Sequence, residues 1–436
     1  MARKPANTIR VAQDLKSVTQ FDPRNETAPS EVGLTDTAVK KIWAAVEDLY
    51  RTGTQPAITL ALRRHGKVVL NRAIGHAHGN GPQDGPDVPK LLATTDTPIC
   101  LFSASKAITA MLVHKLAEEG ALSVNDLVSR YLPEYADNGK QHTTLRHLLS
   151  HRAGIPTVPV RNPDPSILYD WDGAVRMLCA AKAVTSSGET QAYHAITAGY
   201  ILGEVIRRVT GRELRDVMTD KFRKPLGFKY FNYGLEEQYD DLVGLNYFTG
   251  PKLIFPLNLI AKRALGIEFE QVAPVSNDAG YRRAVIPAGN IYATADECSR
   301  FYQMMLNEGE LDGVRIFTPE TVRNAIRPAG VRQFDRTLVL PIRFSQGMLL
   351  GERSVSLYGV NCEHAYGHLG FIQIVTWADP QRELAAALLT TGKPMEARSL
   401  YYLSKLMWTI STQCTPARRA RPAWKKPLPR SQPRAA

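Results

Sequence analysis

The stretch Leu101-Phe102-Ser103-Ala104-Ser105-Lys106-Ala107-Ile108-Thr109-Ala110 indicates both a fold and a chemistry. The apolar run that continues through Val113 predicts a buried central helix, because the run is apolar on almost every face. Residues three apart lie on the same face of a helix. We therefore expect Ser103 and Lys106 to face each other at the start of this helix, where a buried lysine needs a partner or a function.

A serine hydroxyl becomes a useful nucleophile only when a neighbouring base accepts its proton. Lysine can be that base when burial and neighbouring cations lower the pKa of its amine. The partial positive charge at a helix N-terminus also favours the negative charge that develops on the serine. The pair alone has a second interpretation, in which the serine caps a helix and the lysine is solvated. Other features of the sequence are needed to distinguish the two interpretations.

The length of 436 residues is large for one hydrophobic core and indicates one two-lobed unit or two domains. No apolar run reaches the roughly 18 residues of a transmembrane helix. The N-terminus lacks the apolar segment of a secretory signal peptide. Five scattered cysteines form neither a disulfide framework nor a Cys-x-x-Cys motif. We therefore expect a reduced, cytoplasmic protein.

The net charge of +12 is concentrated in the C-terminal tail, where residues 416–436 carry seven basic side chains and no acidic one. The remaining charge of +5 is unremarkable, so we expect no nucleic-acid partner. Residues 411–436 read as a basic disordered tail. The segment 251–265 is apolar with a few cations, and it has three interpretations: the wall of an acyl pocket, a packed part of a helical lobe, or a membrane-surface segment. A weak membrane-surface contact through this segment or the tail is therefore an alternative expectation.

The order of predicted elements points to an α+β fold. Residues 1–35 read as an irregular extension. Helices are predicted over 36–52, 106–119, 145–151, 197–210 and 395–410, and strands over 57–62, 68–75, 354–358, 371–377 and 384–391. Strands near both ends with helices between them predict an antiparallel sheet closed by both chain termini, with an inserted helical lobe. The domain then spans 36–410, with an α/β part over 36–105 and 290–410, a lobe over about 106–289, and a site in the cleft between them.

Four further motifs follow Ser103 and Lys106 in chain order, over residues 144–155, 193–211, 287–296 and 366–371. Together the five motifs resemble those of the serine β-lactamase and penicillin-binding-protein superfamily, in particular its class C-like esterase branch. The resemblance covers roughly residues 36–410. It implies a β-lactamase-like fold and a serine hydrolase.

The resemblance also implies residue roles. Ser103 would be the nucleophile, and Lys106 and Tyr193 would share the work of the base, with the phenol losing its proton more easily beside an ammonium. The backbone N–H groups of Ser103 and Phe371 would form the oxyanion hole. The strand motif His368-Leu369-Gly370 would contact the substrate, a small-molecule ester. No cofactor and no metal are implied, and the oligomeric state stays open.

Two departures from the family pattern favour an esterase. Ala195 replaces an asparagine that helps to hold a lactam amide, and His368 replaces a lysine that attracts a substrate carboxylate. Both groups serve β-lactam recognition rather than acyl transfer. The alternatives are an acyltransferase, a weak β-lactamase or peptidase of the same fold, and, from another class, a catalytically inactive binding or scaffold protein.

Other interpretations of single residues stay open at this point. Tyr193 is also consistent with an ordinary core tyrosine. His147 and His151 have the spacing of a zinc pair, but no His-Glu-x-x-His motif occurs, and the expected role is to order the turn before Gly154. No Gly-x-Ser-x-Gly elbow occurs, which argues against an α/β-hydrolase. Gly392-Lys393 lacks the rest of a phosphate-binding loop.

Overall fold

A large antiparallel sheet organises the protein, whose computed structural model describes residues 7–160 and 164–416. The strands of these residues are β1 (Thr19–Gln20), β2 (Ala57–Arg64), β3 (Lys67–His78), β4 (Leu91–Leu92), β5 (Ile99–Cys100), β6 (Asn232–Tyr233), β7 (Ile291–Ala293), β8 (Glu310–Leu311), β9 (Val314–Arg315), β10 (Gln333–Asp335), β11 (Leu340–Ile342), β12 (Leu349–Leu350), β13 (Val355–Ser356), β14 (Gly359–Val360), β15 (Tyr366–Gly370), β16 (Ile374–Asp379) and β17 (Leu384–Thr390).

The helices of the same residues are α1 (Asp36–Tyr50), α2 (Ser105–Glu118), α3 (Leu145–Leu149), α4 (Trp171–Ala180), α5 (Thr197–Thr210), α6 (Leu214–Met218), α7 (Leu257–Leu265), α8 (Val272–Asn277), α9 (Ala279–Arg283), α10 (Ala295–Leu306), α11 (Pro319–Ala325) and α12 (Ala397–Gln413). Short 3₁₀ helices connect several of them, including the one over Phe102–Ala104 that leads into α2.

The main sheet has the strand order β1-β3-β2-β17-β16-β15-β12, with β4 paired to β3. Its neighbouring strands are antiparallel. Strand β2 from the N-terminal part of the chain pairs with β17 from the C-terminal part, with Leu60 opposite Leu388. The expectation of an α+β fold with a large antiparallel sheet is confirmed.

Helices cover both faces of the sheet, and strand β17 shows the consequence. Every one of its seven residues is buried. Successive side chains point to opposite faces. Ala385, Ala387 and Leu389 join the core that includes α2 and α10, and Leu384, Ala386 and Leu388 join the core that includes α1 and α12. The continuous apolar run of this strand therefore follows from burial on two sides.

Several predicted elements are confirmed. Helix α5 has the predicted bounds of 197–210, and Gly211 ends it in the left-handed conformation, with φ of 64°. Strands β2 and β3 form the predicted hairpin, with the turn at His65 and Gly66. Helix α1 is two residues shorter than predicted.

Two predicted strands are confirmed only in part: residues 374–377 of the predicted strand 371–377 lie in β16, and residues 355–356 of the predicted strand 354–358 form β13. Residues 371–373 form the turn between β15 and β16, where Ile372 has φ of 66°. Apolar residues continue through this turn, so the hydrophobic pattern does not mark it. The predicted strand 354–358 is instead one side of a small hairpin of β13 and β14, outside the main sheet.

The two predicted ends of the domain also need correction. Residues 7–35 are not irregular, because they contain three 3₁₀ helices and strand β1, which pairs with β3. The side chains of Asp14 and Asp22 start two of these helices by accepting a backbone N–H two residues on. Helix α12 continues to Gln413, beyond the predicted start of the tail at 411. The basic residues of the tail lie outside the described residues.

Candidate active site

The start of α2 brings the predicted nucleophile and base together. Lys106 Nζ lies 3.0 Å from Ser103 Oγ, within hydrogen-bonding distance. Ser103 is half-buried, and Phe102 before it has φ of 46°, in the left-handed region that is costly for a residue with a Cβ. The chain therefore turns sharply into the helix at the position of the serine.

Polar side chains of α2 hold the segment 287–291 against the helix. Ser105 Oγ accepts a hydrogen bond from the Ile291 N–H at 3.1 Å, and Thr109 Oγ1 donates to the Pro287 carbonyl at 2.7 Å. Between them, Lys106 Nζ donates to the Ala288 carbonyl at 2.9 Å. This carbonyl orients the lysine amine toward Ser103.

A glycine makes this arrangement compact. A Cβ on Gly199 of α5 would lie 2.7 Å from the backbone nitrogen of Ala288, closer than atoms can approach. The absent side chain lets α5 press the Ala288 loop onto α2. The motifs 193–211 and 287–296 of the sequence thus meet at the lysine.

The Lys106 amine is held in an environment that favours its neutral form. Burial lowers its pKa to about 7, and no carboxylate among the described residues offsets this effect. Near neutral pH a substantial fraction of the amine therefore carries a lone pair. The position of that lone pair beside Ser103 Oγ suits proton acceptance.

Tyr193 completes the group, although it is 87 residues from Lys106 in the chain. Its hydroxyl hydrogen-bonds to Ser103, and Lys106 Nζ lies 5.0 Å from the centre of its ring. The fold therefore brings Ser103, Lys106 and Tyr193 together, as their motifs predict.

The protonation of Tyr193 differs from the expectation of an easily lost phenolic proton. Burial raises its pKa, and this effect exceeds that of the hydrogen bond with Ser103, which lowers it. The phenol therefore keeps its proton at neutral pH. Of the two expected bases, Lys106 is therefore the one whose neutral form is accessible near neutral pH, whereas Tyr193 keeps its proton.

Three buried histidines surround the tyrosine, and burial keeps them neutral. The ring centres of His151 and His368 lie 4.7 and 6.2 Å from that of Tyr193. Burial lowers the pKa of His194 to about 4 and that of His368 to about 3, and it lowers the pKa of His151 well below its usual value. The Lys106 charge acts in the same direction on all three.

Their hydrogen bonds indicate the tautomers. His368 Nδ1 lies 2.7 Å from the Leu369 carbonyl, so it carries the hydrogen, and its buried Nε2 has no protein partner. His151 Nδ1 accepts from the His194 N–H at 3.2 Å. At the position where the family pattern has a cationic lysine, His368 thus provides a neutral ring.

The strand motif lies directly against the nucleophile turn. A Cβ on Gly370 would lie 2.4 Å from the Leu101 carbonyl oxygen, so only glycine fits at the end of β15. The Phe371 ring packs on that of Phe102, with 5.5 Å between ring centres. Phe371 and Ser103 thus lie in adjoining segments, while the oxyanion-hole role of their N–H groups stays a prediction.

Asp335 is a site residue that the sequence motifs do not reveal. It is fully buried, and its Oδ1 accepts the backbone N–H groups of Tyr193, Thr337 and Leu338 at 3.0, 3.0 and 2.9 Å. It therefore fixes the backbone of Tyr193 from a distance of 142 residues in the chain. An aspartate before two polar residues indicates a local turn, but no pattern in the sequence links it to Tyr193.

Lys393 is a second contributor that the motifs do not reveal. Its amine donates to the Thr390 carbonyl at 2.6 Å and lies 4.9 Å from the centre of the Phe102 ring. Burial lowers its pKa to about 7. Its contacts support Phe102, the residue before the nucleophile.

His147 caps the N-terminal end of α3, whereas the sequence places its expected role at the turn before Gly154. Its Nδ1 accepts the Thr144 N–H at 3.2 Å, and Thr144 Oγ1 accepts the His147 N–H in return. Within residues 7–160 and 164–416, no cluster of three or more His, Cys, Asp or Glu side chains is arranged to hold a metal ion. No helix in the same part of the chain is both long and apolar enough to span a bilayer.

A family model described as Beta-lactamase matches residues 43–406. The chain belongs to the β-lactamase family. Esterase/beta-lactamase LipL of Mycobacterium tuberculosis is 28% identical over 324 residues, which cover 68% of this chain and 70% of LipL. These similarities agree with a serine hydrolase of β-lactamase-like fold.

Two solved structures of this family are similar over nearly their whole length. A penicillin-binding protein homologue from Caulobacter crescentus is 29% identical with a TM-score of 0.71, covering 85% of this chain and 97% of its own. A family VIII carboxylesterase is 26% identical with a TM-score of 0.73, covering 87% of this chain and 98% of its own. A penicillin-binding protein homologue and a carboxylesterase thus resemble this chain to a similar degree.

The pKa of Lys106 leads to a pH prediction. We expect kcat/KM for an ester to fall as the pH drops through about 7, by about tenfold per pH unit below that value, because the ammonium form cannot accept the Ser103 proton. Above about pH 7 the rate should level off. Thermal stability over the same range is the control. A flat profile between about pH 5 and about pH 8, with the fold intact, would contradict the role of Lys106.

Removal of the Tyr193 hydroxyl gives a second prediction. Tyr193→Phe should lower kcat by about 10²-fold or more while thermal stability changes little, because the phenol acts on Ser103 rather than on packing. Lys106→Met should be at least as damaging. Tyr200→Phe is the matched control, because the Tyr200 hydroxyl is also buried but donates to the Leu168 carbonyl rather than acting on Ser103. Equal kcat values for Tyr193→Phe and the control would show that Tyr193 is only a core residue.

Proposed function

We propose that the protein is a serine esterase that cleaves carboxylic esters through an acyl-enzyme on Ser103. The observation that carries the proposal is the contact of Ser103 with Lys106 at 3.0 Å and with the Tyr193 hydroxyl, combined with the pKa of about 7 for Lys106. A nucleophile, a neutral base and a proton donor then meet at one oxygen atom.

The reaction follows from these roles. Ser103 Oγ attacks the ester carbonyl and forms a C–O bond while its proton passes to the Lys106 amine. The N–H groups of Ser103 and Phe371 hold the oxyanion, and each such donor contributes on the order of 3 kcal/mol to barrier lowering. The alkoxide leaves with the Tyr193 proton, which the Lys106 ammonium replaces. Water then attacks the acyl carbon and gives a proton to the Lys106 amine, and the bond from the acyl carbon to Ser103 Oγ breaks as that proton passes to Oγ, which releases the acid and restores Ser103.

Ester chemistry is favoured over β-lactam chemistry by two residues. His368 is neutral and offers no charge to a carboxylate, and Ala195 offers no amide to a lactam. The family VIII carboxylesterase, at 26% identity to this chain, agrees with this choice, while the name of LipL, at 28% identity, includes both esterase and beta-lactamase.

We also propose the arrangement and the setting of the enzyme. The helical segments between about 106 and 289 would act as a lobe against a sheet built from both ends of the chain, with the site in the cleft between them. Support comes from α2 and Tyr193 on one side and β15 on the other. A reducing compartment, the cytoplasm, is supported by the five cysteines, which are all buried and free.

Ser103→Ala is the direct test of the proposal. The variant should lose hydrolysis of short-chain nitrophenyl esters and labelling by a fluorophosphonate probe, because both need the Ser103 hydroxyl. Ser356→Ala is the matched control: its hydroxyl donates to the Gly359 carbonyl in the small hairpin of β13 and β14, outside the site, so the variant should keep labelling and activity. Labelling that persists in Ser103→Ala would place the nucleophile elsewhere.

Product analysis with an added alcohol would distinguish hydrolysis from acyl transfer.

Turnover of β-lactams provides a further prediction. We expect penicillins and cephalosporins to be hydrolysed far more slowly than short esters, because His368 supplies no cation at the substrate carboxylate. His368→Lys, which restores a cation at this position, should raise the ratio of β-lactam to ester hydrolysis. A wild-type enzyme that hydrolyses a cephalosporin as fast as an ester would refute the ester assignment.

A further inference from the structure

A cavity of about 330 Å³ lies beside the backbone of the catalytic tyrosine. Its lining includes Ala192, which precedes Tyr193, and Arg336, which follows the Tyr193-holding Asp335. Helix α7 and the hairpin of β10 and β11 form two sides of its mouth, through Ile260 and Val339 respectively.

The α7 side of the mouth is unusually apolar. Ile254 and Phe255 are 76% and 75% exposed, and Leu257, Leu259 and Ile260 follow with 53%, 55% and 38%. None of the residues of α7 is fully buried. The segment therefore does not pack inside the helical lobe, which was one expectation for residues 251–265.

The hairpin side of the mouth has the same character. Phe334, Val339 and Leu340 are 58%, 44% and 57% exposed. Residues 254–260 and 334–340, here called the apolar rim, therefore present eight large exposed apolar side chains, and one residue of each segment, Ile260 and Val339, lines the same cavity. Contiguous exposed apolar surface of this kind marks an interaction site.

The charges among the apolar rim are positive. Arg263 and Arg336 line the cavity and are exposed, and Lys252 is exposed next to α7. None of the ion pairs within the described part of the chain involves these three cations, whereas the neighbouring Lys262 is paired with Glu268 at 2.7 Å. The apolar rim thus offers unpaired positive charge to whatever covers it.

We propose that the apolar rim docks on the surface of an anionic lipid bilayer. Exposed apolar side chains flanked by cations are the combination that binds such an interface, where the side chains enter the acyl boundary and the cations meet the headgroups. A second copy of this chain fits less well, because a symmetric contact would bring the same unpaired cations together.

Docking would place the cavity mouth against the membrane. Esters that partition into the bilayer would then enter the cavity beside Ala192, the residue before Tyr193. This part of the inference rests on the proposed function and names its substrate class as lipophilic esters. Docking itself does not depend on catalysis, so the two can fail separately.

Vesicle binding by the full-length chain tests the inference. Ser103→Ala protein, which leaves the lipids intact, is mixed with vesicles of phosphatidylcholine alone or with added phosphatidylglycerol, and the bound fraction is measured by sedimentation. We expect binding to the anionic vesicles and weaker binding at high salt. Adding Ile254→Ser and Leu259→Ser should lower the partition coefficient by about tenfold or more, because both side chains would insert.

The matched control replaces two equally exposed apolar residues elsewhere, Val355→Ser and Trp408→Ser, at 66% and 54% exposure. It should bind as the parent does. The basic C-terminal tail is present in every protein, so it cannot cause a difference between them. Equal binding by both double variants, or no binding to anionic vesicles, would overturn the inference.

Two further measurements separate the remaining outcomes. Sedimentation velocity that shows a dimer lost in Ile254→Ser/Leu259→Ser would assign the apolar rim to self-association and overturn the inference. In the active enzyme, which retains Ser103, Ile254→Ser/Leu259→Ser should keep the wild-type rate on a short-chain ester. It should lose rate only on a long-chain ester that is carried in vesicles. Loss of both rates would contradict docking, and absence of both in the wild type would contradict the proposed function instead.

Discussion

The site depends on one lysine that is held next to a serine without a counter-ion. Burial lowers the pKa of the Lys106 amine to about 7, and the Ala288 carbonyl at 2.9 Å orients it without adding a charge. A carboxylate in this position would raise the pKa and remove the base. Several other features contribute to a pocket of low charge around Ser103. They are the close approach at Gly199, the hydrogen bonds of Ser105 and Thr109, and the neutral histidines.

The local parts of this arrangement could be predicted from the sequence. The Ser-x-x-Lys spacing on an apolar helix predicts that Ser103 and Lys106 face each other, and periodicity and Gly211 define helix 197–210. The contacts that set the chemistry could not be predicted in this way. Ala288 is 182 residues from Lys106, and Asp335 is 142 residues from Tyr193. The hydrophobic pattern predicts a strand that begins at residue 371, because Phe371 and Ile372 in the turn are as apolar as the first residues of β16.

The raised pKa of Tyr193 changes the roles that the sequence predicts for Tyr193 and Lys106. From the sequence, a neighbouring ammonium favours a phenolate, but burial acts more strongly in the folded protein and keeps the phenol protonated. A neutral amine and a neutral phenol then exchange one proton around Ser103 with little net charge in the resting site. His368, in the strand motif expected to contact the substrate, is also neutral. A site with so little charge suits an uncharged ester.

The most direct measurement of the central claim is the mass of the intact protein during turnover. When the enzyme is mixed with an activated ester and quenched within the first turnovers, we expect one acyl group added per chain, located by peptide mapping on the peptide that carries Ser103. Tyr193→Phe should form this adduct more slowly, because its formation needs the proton relay. An adduct on another residue, or turnover of the ester with no adduct on Ser103 under conditions that slow deacylation, would contradict the account.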